Sequence, residues 1–320
     1  MPLPASASPL PGSPAPALPS PVESLTDPVL ARAGVELRLK RDDLIHPDIP
    51  GNKWRKLTPN LGAAVEQGHT RLLTFGGAYS NHLRAVAAAG AALGLSTVGV
   101  VRGHELAGAP RNWSLARAEA LGMELFPLDR ARYREILSSL DDPGTLRALE
   151  ERWGRCYVLP EGGTNALAAH GAARTAEELT GLGAHDVVCC PVGTGGTLAG
   201  IAAGLPHGAR ALGFAVLKGA ERGLDAEVAR LHRLGWGRPY DNWRIEHGFH
   251  GGGFGRVPAE LETFAAGFEE RHGLAVERRY VAKMLWGVYA LAGSGALPPG
   301  TRVTSVVTGP PDEGPAASSK

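Results

Sequence analysis

Three groups of residues have types and spacings that could do chemistry together. Lys53 stands in Gly51-Asn52-Lys53-Trp54-Arg55-Lys56, after a run at 35–43 that alternates apolar and charged residues and breaks at Pro47 and Pro50. An amine framed by small and polar residues after an extended run is how a lysine that carries a cofactor is presented, and the same pattern fits a solvated surface charge. Gly193-Thr194-Gly195-Gly196-Thr197 follows the apolar run at 186–192. Its backbone N–H groups and two hydroxyls can converge on one compact phosphate at a helix start. Spacing alone equally allows a tight strand-to-helix turn. The stretch lacks the Gly-Lys-Ser/Thr ending of a P-loop, and Leu198 breaks a dinucleotide fingerprint. Ser80-Asn81-His82 opens an expected helix, where free N–H groups and a serine hydroxyl can hold a carboxylate or simply cap the helix.

The elements that must position these groups read as strand, glycine turn, helix, repeated. Residues 71–75 form an expected strand, followed by the Gly76-Gly77 turn, a helix from about His82 to Ala89 and a strand at 96–101. A helix at about 113–121 leads to a strand at 123–126, and strands at 156–160 and 186–192 each precede a glycine turn and a helix. This alternation predicts open parallel sheets covered on both faces, with ligands at the carboxyl ends of the strands. The loops at 76–81, 161–165 and 193–197 occupy such ends.

Composition narrows the partners. The chain has 320 residues, 43% of them hydrophobic, and 33 basic against 32 acidic residues for a net charge of +1. That balance carries no nucleic-acid footprint, and no apolar stretch approaches the roughly 20 residues that span a bilayer. A small-molecule ligand is expected. Cys156, Cys189 and Cys190 match neither a zinc site nor a disulfide framework, so no metal is expected and a reducing cytoplasm fits.

An amine, a phosphate cup and a carboxylate cradle are the parts needed to bind pyridoxal 5'-phosphate and an amino acid. The sequence resembles the tryptophan-synthase-β-like group of pyridoxal-phosphate enzymes, fold type II. Within that group it is similar to the family of 1-aminocyclopropane-1-carboxylate deaminase and D-cysteine desulfhydrase. The matching residues are Lys40-Arg41-Asp42-Asp43, the Gly51 to Lys56 stretch, Gly76-Gly77-Ala78-Tyr79-Ser80-Asn81-His82, Glu161-Gly162-Gly163-Thr164-Asn165 and the 193–197 loop. The likeness runs from about residue 25 to 309.

The resemblance implies a site. Lys53 would form the covalent imine link to the cofactor, Asn81 would lie against its ring, and Gly193, Thr194, Gly195, Gly196 and Thr197 would bind its phosphate. Ser80, with the backbone around Asn81 and His82, would hold the substrate carboxylate. Tyr280 corresponds to the family tyrosine that assists acid–base steps, and Thr308 would offer a hydroxyl to the pyridine nitrogen. Three departures bear on the substrate. Val281 stands where deaminases carry glutamate and desulfhydrases threonine; Pro310 replaces glycine in the family's His-Thr-Gly-Gly pattern; and residues 249–255 replace His-Phe-Gly-Gly-Tyr. His82 is the desulfhydrase residue, where deaminases have glutamine.

The implied reaction is β-elimination from a small amino acid, first of all D-cysteine to pyruvate, sulfide and ammonia, with the freed Lys53 amine as base at Cα and Tyr280 serving the leaving group. Deamination of 1-aminocyclopropane-1-carboxylate to 2-oxobutanoate is the alternative, and a cofactor-binding protein that has lost turnover is a third. The implied architecture is α/β, with two open, mostly parallel sheets in a larger and a smaller three-layer domain. The larger domain is expected at 25–52 and 157–309 and the smaller at 53–156, with a disordered proline-rich arm at 1–24 and a flexible tail at 310–320. A cytoplasmic homodimer is expected.

Overall fold

The computed structural model describes residues 13–311. Most of the expected tail, from 312 on, and the first half of the expected arm lie outside the described residues. The described strands are β1 (Val22–Leu25), β2 (Glu36–Lys40), β3 (Arg71–Gly76), β4 (Ser96–Arg102), β5 (Met123–Leu128), β6 (Tyr157–Leu159), β7 (Asp186–Val192), β8 (Arg210–Ala215), β9 (Trp243–Glu246) and β10 (Arg302–Val306). They form a six-stranded sheet in the order β1-β2-β10-β7-β8-β9 and a four-stranded sheet in the order β5-β4-β3-β6. Only β1 runs antiparallel to its neighbour among these pairs. The expected fold class is therefore found.

The apolar runs explain why the strands are central. All seven residues of β7 are buried. Val187 and Cys189 face one core with the helices Ala259–His272 and Val281–Gly293, while Val188, Cys190 and Val192 face another with Gly196–Gly204 and Glu221–Trp236. Alternate residues of a doubly covered strand must divide in this way. The adjacent cysteines thus point into different cores, and all three cysteines are free and buried. Leu73 and Phe75 of β3 face a third core and Leu72 a fourth, so the smaller sheet is also covered on both sides.

Two expectations about boundaries are corrected. The arm expected to be disordered through residue 24 is packed from its described start: Ala17 N–H donates to Ile45 O at 2.8 Å, Arg41 N–H to Pro21 O at 2.8 Å, and Val22–Leu25 extends the larger sheet as β1. Proline-rich composition hides this because the arm needs no core of its own when an existing strand edge pairs its polar groups. The second correction concerns the strand placed at the start of the larger domain's second segment. Tyr157–Leu159 pairs in parallel with β3, with Leu72 opposite Tyr157 and Thr74 opposite Leu159, so the chain leaves the smaller sheet only after residue 159. An apolar run declares a strand but not the sheet it joins.

One helix, Ala166–Glu177, sets the geometry of the site from below. A Cβ on its Gly171 would lie 1.9 Å from the Arg55 carbonyl oxygen of the helix Asn52–Glu66. On its other side, a Cβ on Gly200 of Gly196–Gly204 would lie 2.3 Å from Ala169 O. Small residues let three helix backbones touch, which places the Lys53 helix and the phosphate-cup helix on either side of a common strut. Buried charges fix the same helices. Arg55 donates to Asp42 at 2.7 Å and to Glu178 at 2.8 Å, Lys40 Nζ donates to Glu178 at 2.6 Å, and Ser20 Oγ donates to Asp42 at 2.7 Å. Removing one member of such a network strands the others away from water.

Candidate active site

The carboxyl ends of β3, β4, β7 and β10 meet at one cleft. Lys53, Ser80, Asn81, His82, Tyr280, Thr308 and the whole 193–197 loop line it, so the residues expected to hold cofactor and substrate come to one place.

The floor of the cleft is built around the cup. Gly195 sits at φ 82° and precedes the helix Gly196–Gly204, a left-handed turn that glycine adopts without strain. Lys53 and Lys56 lie one turn apart on the Asn52–Glu66 helix and both reach the cleft. Lys56 Nζ donates to the Gly162 carbonyl and to Thr164 Oγ1 at 2.8 Å, and Thr164 Oγ1 lies 2.5 Å from Thr194 Oγ1 in the cup. Burial, reinforced by the charge of Lys53, pushes the Lys56 ammonium well below its ordinary pKa. Asn52 Nδ2 donates to Thr197 Oγ1 at 2.8 Å. A buried cation held by neutral oxygens beside a ring of N–H groups and hydroxyls is a place where a phosphate would settle and where bare positive charge is costly. Lys53 itself is half-buried, donates to Asn52 Oδ1 at 3.0 Å, and has its pKa lowered by burial to about 8. The residues present therefore fit a phosphorylated aldehyde.

Ser80 caps the helix Asn81–Leu93, its Oγ accepting the Leu83 N–H at 3.3 Å. Capping uses a lone pair only, so the hydroxyl proton stays free to donate and the two readings of this motif coexist. The His82 ring turns away from solvent: it is 2% exposed and its Nε2 lies 2.8 Å from Thr74 Oγ1. Because that hydroxyl already donates to Leu159 O at 3.0 Å, it accepts from His82, which fixes the Nε2–H tautomer and leaves Nδ1 as a buried lone pair. Burial first, then the charges of Lys53 and Lys56, hold this histidine neutral. What His82 presents to the cleft is thus its position at the helix start rather than a charge.

Tyr280 stands at the start of the helix Val281–Gly293 with its N–H donating to Glu277 at 2.6 Å. A Cβ on Gly193 would lie 3.5 Å from the Tyr280 ring, so the phenol borders the cup. Burial and the nearby carboxylates of Glu277 and Glu161 push its pKa up, keeping it a proton donor. Thr308 follows β10; its carbonyl accepts the Asn52 N–H at 3.2 Å and packs on Gly51. Val281, by contrast, is buried in the core of the larger sheet.

Sequence reasoning passed over several cleft residues. Lys56 was legible as the residue one helical turn beyond Lys53. Arg102 and Phe254 also line the cleft, beside Glu161 of the expected 161–165 loop, but a charged residue ending a strand or an aromatic in a glycine loop carries no pattern of its own.

A family model described as pyridoxal-phosphate dependent enzyme matches residues 15–309, and the chain belongs to that family. It is 36% identical over 175 residues to a putative 1-aminocyclopropane-1-carboxylate deaminase of Thermotoga maritima, covering 54% of each chain. It is 35% identical over 181 residues to a D-cysteine desulfhydrase of Yersinia pestis, covering 54% of this chain and 53% of that one. The chain thus matches about half the length of these two curated relatives. A solved structure described as an ACC deaminase homologue superposes with a TM-score of 0.75 at 26% identity, covering 93% of this chain and 91% of the other. Among the described residues, no helix is long and apolar enough to cross a membrane.

Proposed function

We propose that the chain catalyses pyridoxal-phosphate-dependent β-elimination on a small amino acid, with D-cysteine to pyruvate, sulfide and ammonia as the reaction the site suits best. The observation that carries this reading is the convergence of Lys53, the 193–197 cup and the Ser80 helix start on one cleft. Bound there, the cofactor supplies an electron sink for charge developed at the substrate Cα.

This chain's residues do the remaining work. The N–H groups of the 193–197 loop hold the phosphate, whose charge would favour the protonated form of the desolvated Lys56 amine, and Asn52 orients the Thr197 hydroxyl. Lys53 offers the amine for the cofactor's aldehyde. Its lowered pKa of about 8 then leaves a usable fraction of neutral amine near neutrality to take the Cα proton. Ser80 donates its hydroxyl proton to the substrate carboxylate beside the N–H groups of Asn81 and His82. Asn81 and Thr308 line the same cleft, where Asn81 would lie against the cofactor ring and Thr308 would offer a hydroxyl to its pyridine nitrogen, favouring the unprotonated form. Tyr280, held neutral, gives a proton to the leaving group.

A second reading, ring opening of 1-aminocyclopropane-1-carboxylate to 2-oxobutanoate and ammonia, is supported by the description of the Thermotoga relative. The buried apolar Val281 speaks against it, since it brings no acid to the cleft where deaminases are expected to carry glutamate. The reading also takes the two sheets as the larger and smaller domain of a cytoplasmic homodimer, which light scattering on the full chain would test.

The decisive experiment follows the visible absorbance of the lysine-bound cofactor in wild type and Lys53→Ala, then sulfide and pyruvate release from D-cysteine. A band lost in the variant together with sulfide release is expected. A band with no product from either substrate would leave a cofactor-binding protein without this turnover, and no band after cofactor addition would remove the enzyme reading.

A further inference from the structure

We propose that Arg102 determines specificity by receiving an anionic group at the substrate's β-carbon, so that the preferred substrates are small amino acids whose leaving group carries negative charge. The inference rests on the β-elimination reading and narrows its substrate class.

Arg102 ends β4, at the carboxyl edge of the smaller sheet, and lines the cleft. A Cβ on Gly77 would lie 3.4 Å from Arg102 NH2, so the guanidinium lies over this glycine, beside the turn that leads to Ser80. Its carbon sits 5.7 Å from the centroid of the Tyr133 ring, which backs it from the protein side. Its acidic neighbour is Glu161, with NH1 3.6 Å from Oε1, longer than a good hydrogen bond. A guanidinium has five N–H donors in a planar fork, and one long contact leaves most of that fork for a ligand.

The other cationic and donor groups of the cleft have work in the proposed function. Lys56 and the cup serve the phosphate, Lys53 serves the aldehyde and the Cα proton, and Ser80 with the helix start serves the α-carboxylate. Among the described residues that line the cleft, Arg102 is the lysine or arginine without such a task. Arg102 and Glu161 line the same cleft as Tyr280, the group proposed to protonate the leaving group. Glu161 neutralises the guanidinium in the free protein and gives way to an incoming anion.

The chemistry balances. The Lys53 amine takes the Cα proton, the Cβ–X bond breaks with its electron pair going to X, and 2-aminoacrylate is hydrolysed by water to pyruvate and ammonia. A phosphate, or a thiol in its thiolate form, brings its charge to the guanidinium before the Cβ–X bond breaks, whereas a chloro group is neutral until it leaves.

The test compares O-phosphoserine with β-chloroalanine, which is neutral at Cβ, using both enantiomers and the cofactor-loaded full chain. Arg102→Gln is expected to lower kcat/KM for O-phosphoserine about 10- to 100-fold and for β-chloroalanine less than about 3-fold. Arg102→Lys, retaining charge without the fork, should fall between. Glu161→Gln should raise kcat/KM for O-phosphoserine, because the competing negative charge is gone. Equal losses on both substrates would overturn the proposal, by making Arg102 a holder of the α-carboxylate or a structural residue; a wild type that favours β-chloroalanine would overturn it as well. Turnover of neither by a wild type with intact cofactor absorbance would sink the elimination reading instead. The binding of 2-amino-3-phosphonopropanoate, measured by calorimetry against alanine, then decides on Arg102 separately: its affinity should drop in Arg102→Gln while that of alanine does not, and equal affinities in wild type and variant would refute the role.

Discussion

At the 193–197 end of the cleft, backbone meets backbone. Gly51 lies against the Thr308 carbonyl, Gly171 against Arg55 O, and the hydroxyls of Thr164, Thr194 and Thr197 are tied to Lys56 and Asn52. At the opposite end the walls are long, half-exposed side chains. Arg102 pairs loosely with Glu161, and Phe254 packs edge-on to Tyr280 at 5.8 Å. Phe254 remains 38% exposed, whereas the strand and helix residues beneath the cup are buried. At Gly51 and Gly171 the floor leaves no room for a Cβ without moving the main chain, whereas the mouth is built of side chains. On the proposed function, cofactor chemistry and substrate choice would be carried by parts with different tolerance to substitution.

The largest effect is expected where the floor is tightest. Gly51 has φ 66°, and a Cβ there would lie 1.8 Å from Thr308 O. Gly51→Ala combines a strained backbone with a collision against main chain, and should cost about 4 kcal/mol or more of stability along with cofactor retention. Gly62, in the same helix with nothing within 4 Å of its Cβ position, is the control, and Gly62→Ala should be neutral or stabilising by up to about 1 kcal/mol. Chemical denaturation of both variants checks the contrast; equal stabilities would mean that the close approach of Gly51 to Thr308 does not exist.

That contrast also explains what could be read from the sequence. The cup, the Gly51 turn and the Gly162-Gly163 turn were legible because positive φ and close backbone approach demand glycine, whatever surrounds them. Strands β3, β4, β6 and β7 were legible because burial demands apolar runs there, whereas β1, β8, β9 and β10 were not read from the sequence. Arg102 was not, since a charged residue at a strand end reads as solvated surface until the topology folds that edge over a cleft. The inward turn of His82 was hidden for a similar reason, because its partner Thr74 is eight residues away on the preceding strand. The packed arm escaped because Ser20 owes its burial to Asp42 and Arg55, which are distant in sequence.

An intermediate effect is expected at Lys53, which stands where floor and mouth meet. Its pKa is lowered to about 8 by burial, so the ammonium predominates below that value and the neutral amine above it. Only the neutral amine adds to an aldehyde. Cofactor uptake by cofactor-free protein should therefore quicken about tenfold per pH unit as pH rises towards about 8, and level off above it. Stopped-flow absorbance between pH 6 and 9, values that bracket the expected midpoint by about one to two units, gives the profile. A midpoint near the ordinary lysine value would show that the floor does not desolvate this amine.

The smallest effect belongs to the mouth and sharpens the comparison most directly. Phe254 is carried by a loop whose Gly251, Gly252, Gly253 and Gly255 all have positive φ, from 60° to 125°, and the loop is pinned where buried Lys283 Nζ donates to Gly253 O at 2.8 Å. The backbone of this loop is thus held independently of the Phe254 ring, which lines the cleft beside its edge contact with Tyr280. Phe254→Ala should then cost about 1 kcal/mol of stability or less, since it removes a half-exposed aromatic pair and leaves the loop tethered. In the cleft it removes a wall without removing a proton donor, so KM should rise about fivefold while kcat and the cofactor absorbance stay close to wild type. A fall in kcat with unchanged KM would mean instead that the ring aligns Tyr280 during the reaction. Loss of the cofactor band would mean that floor and mouth are one mechanical unit, because a change confined to exposed side chains would then have reached the phosphate cup.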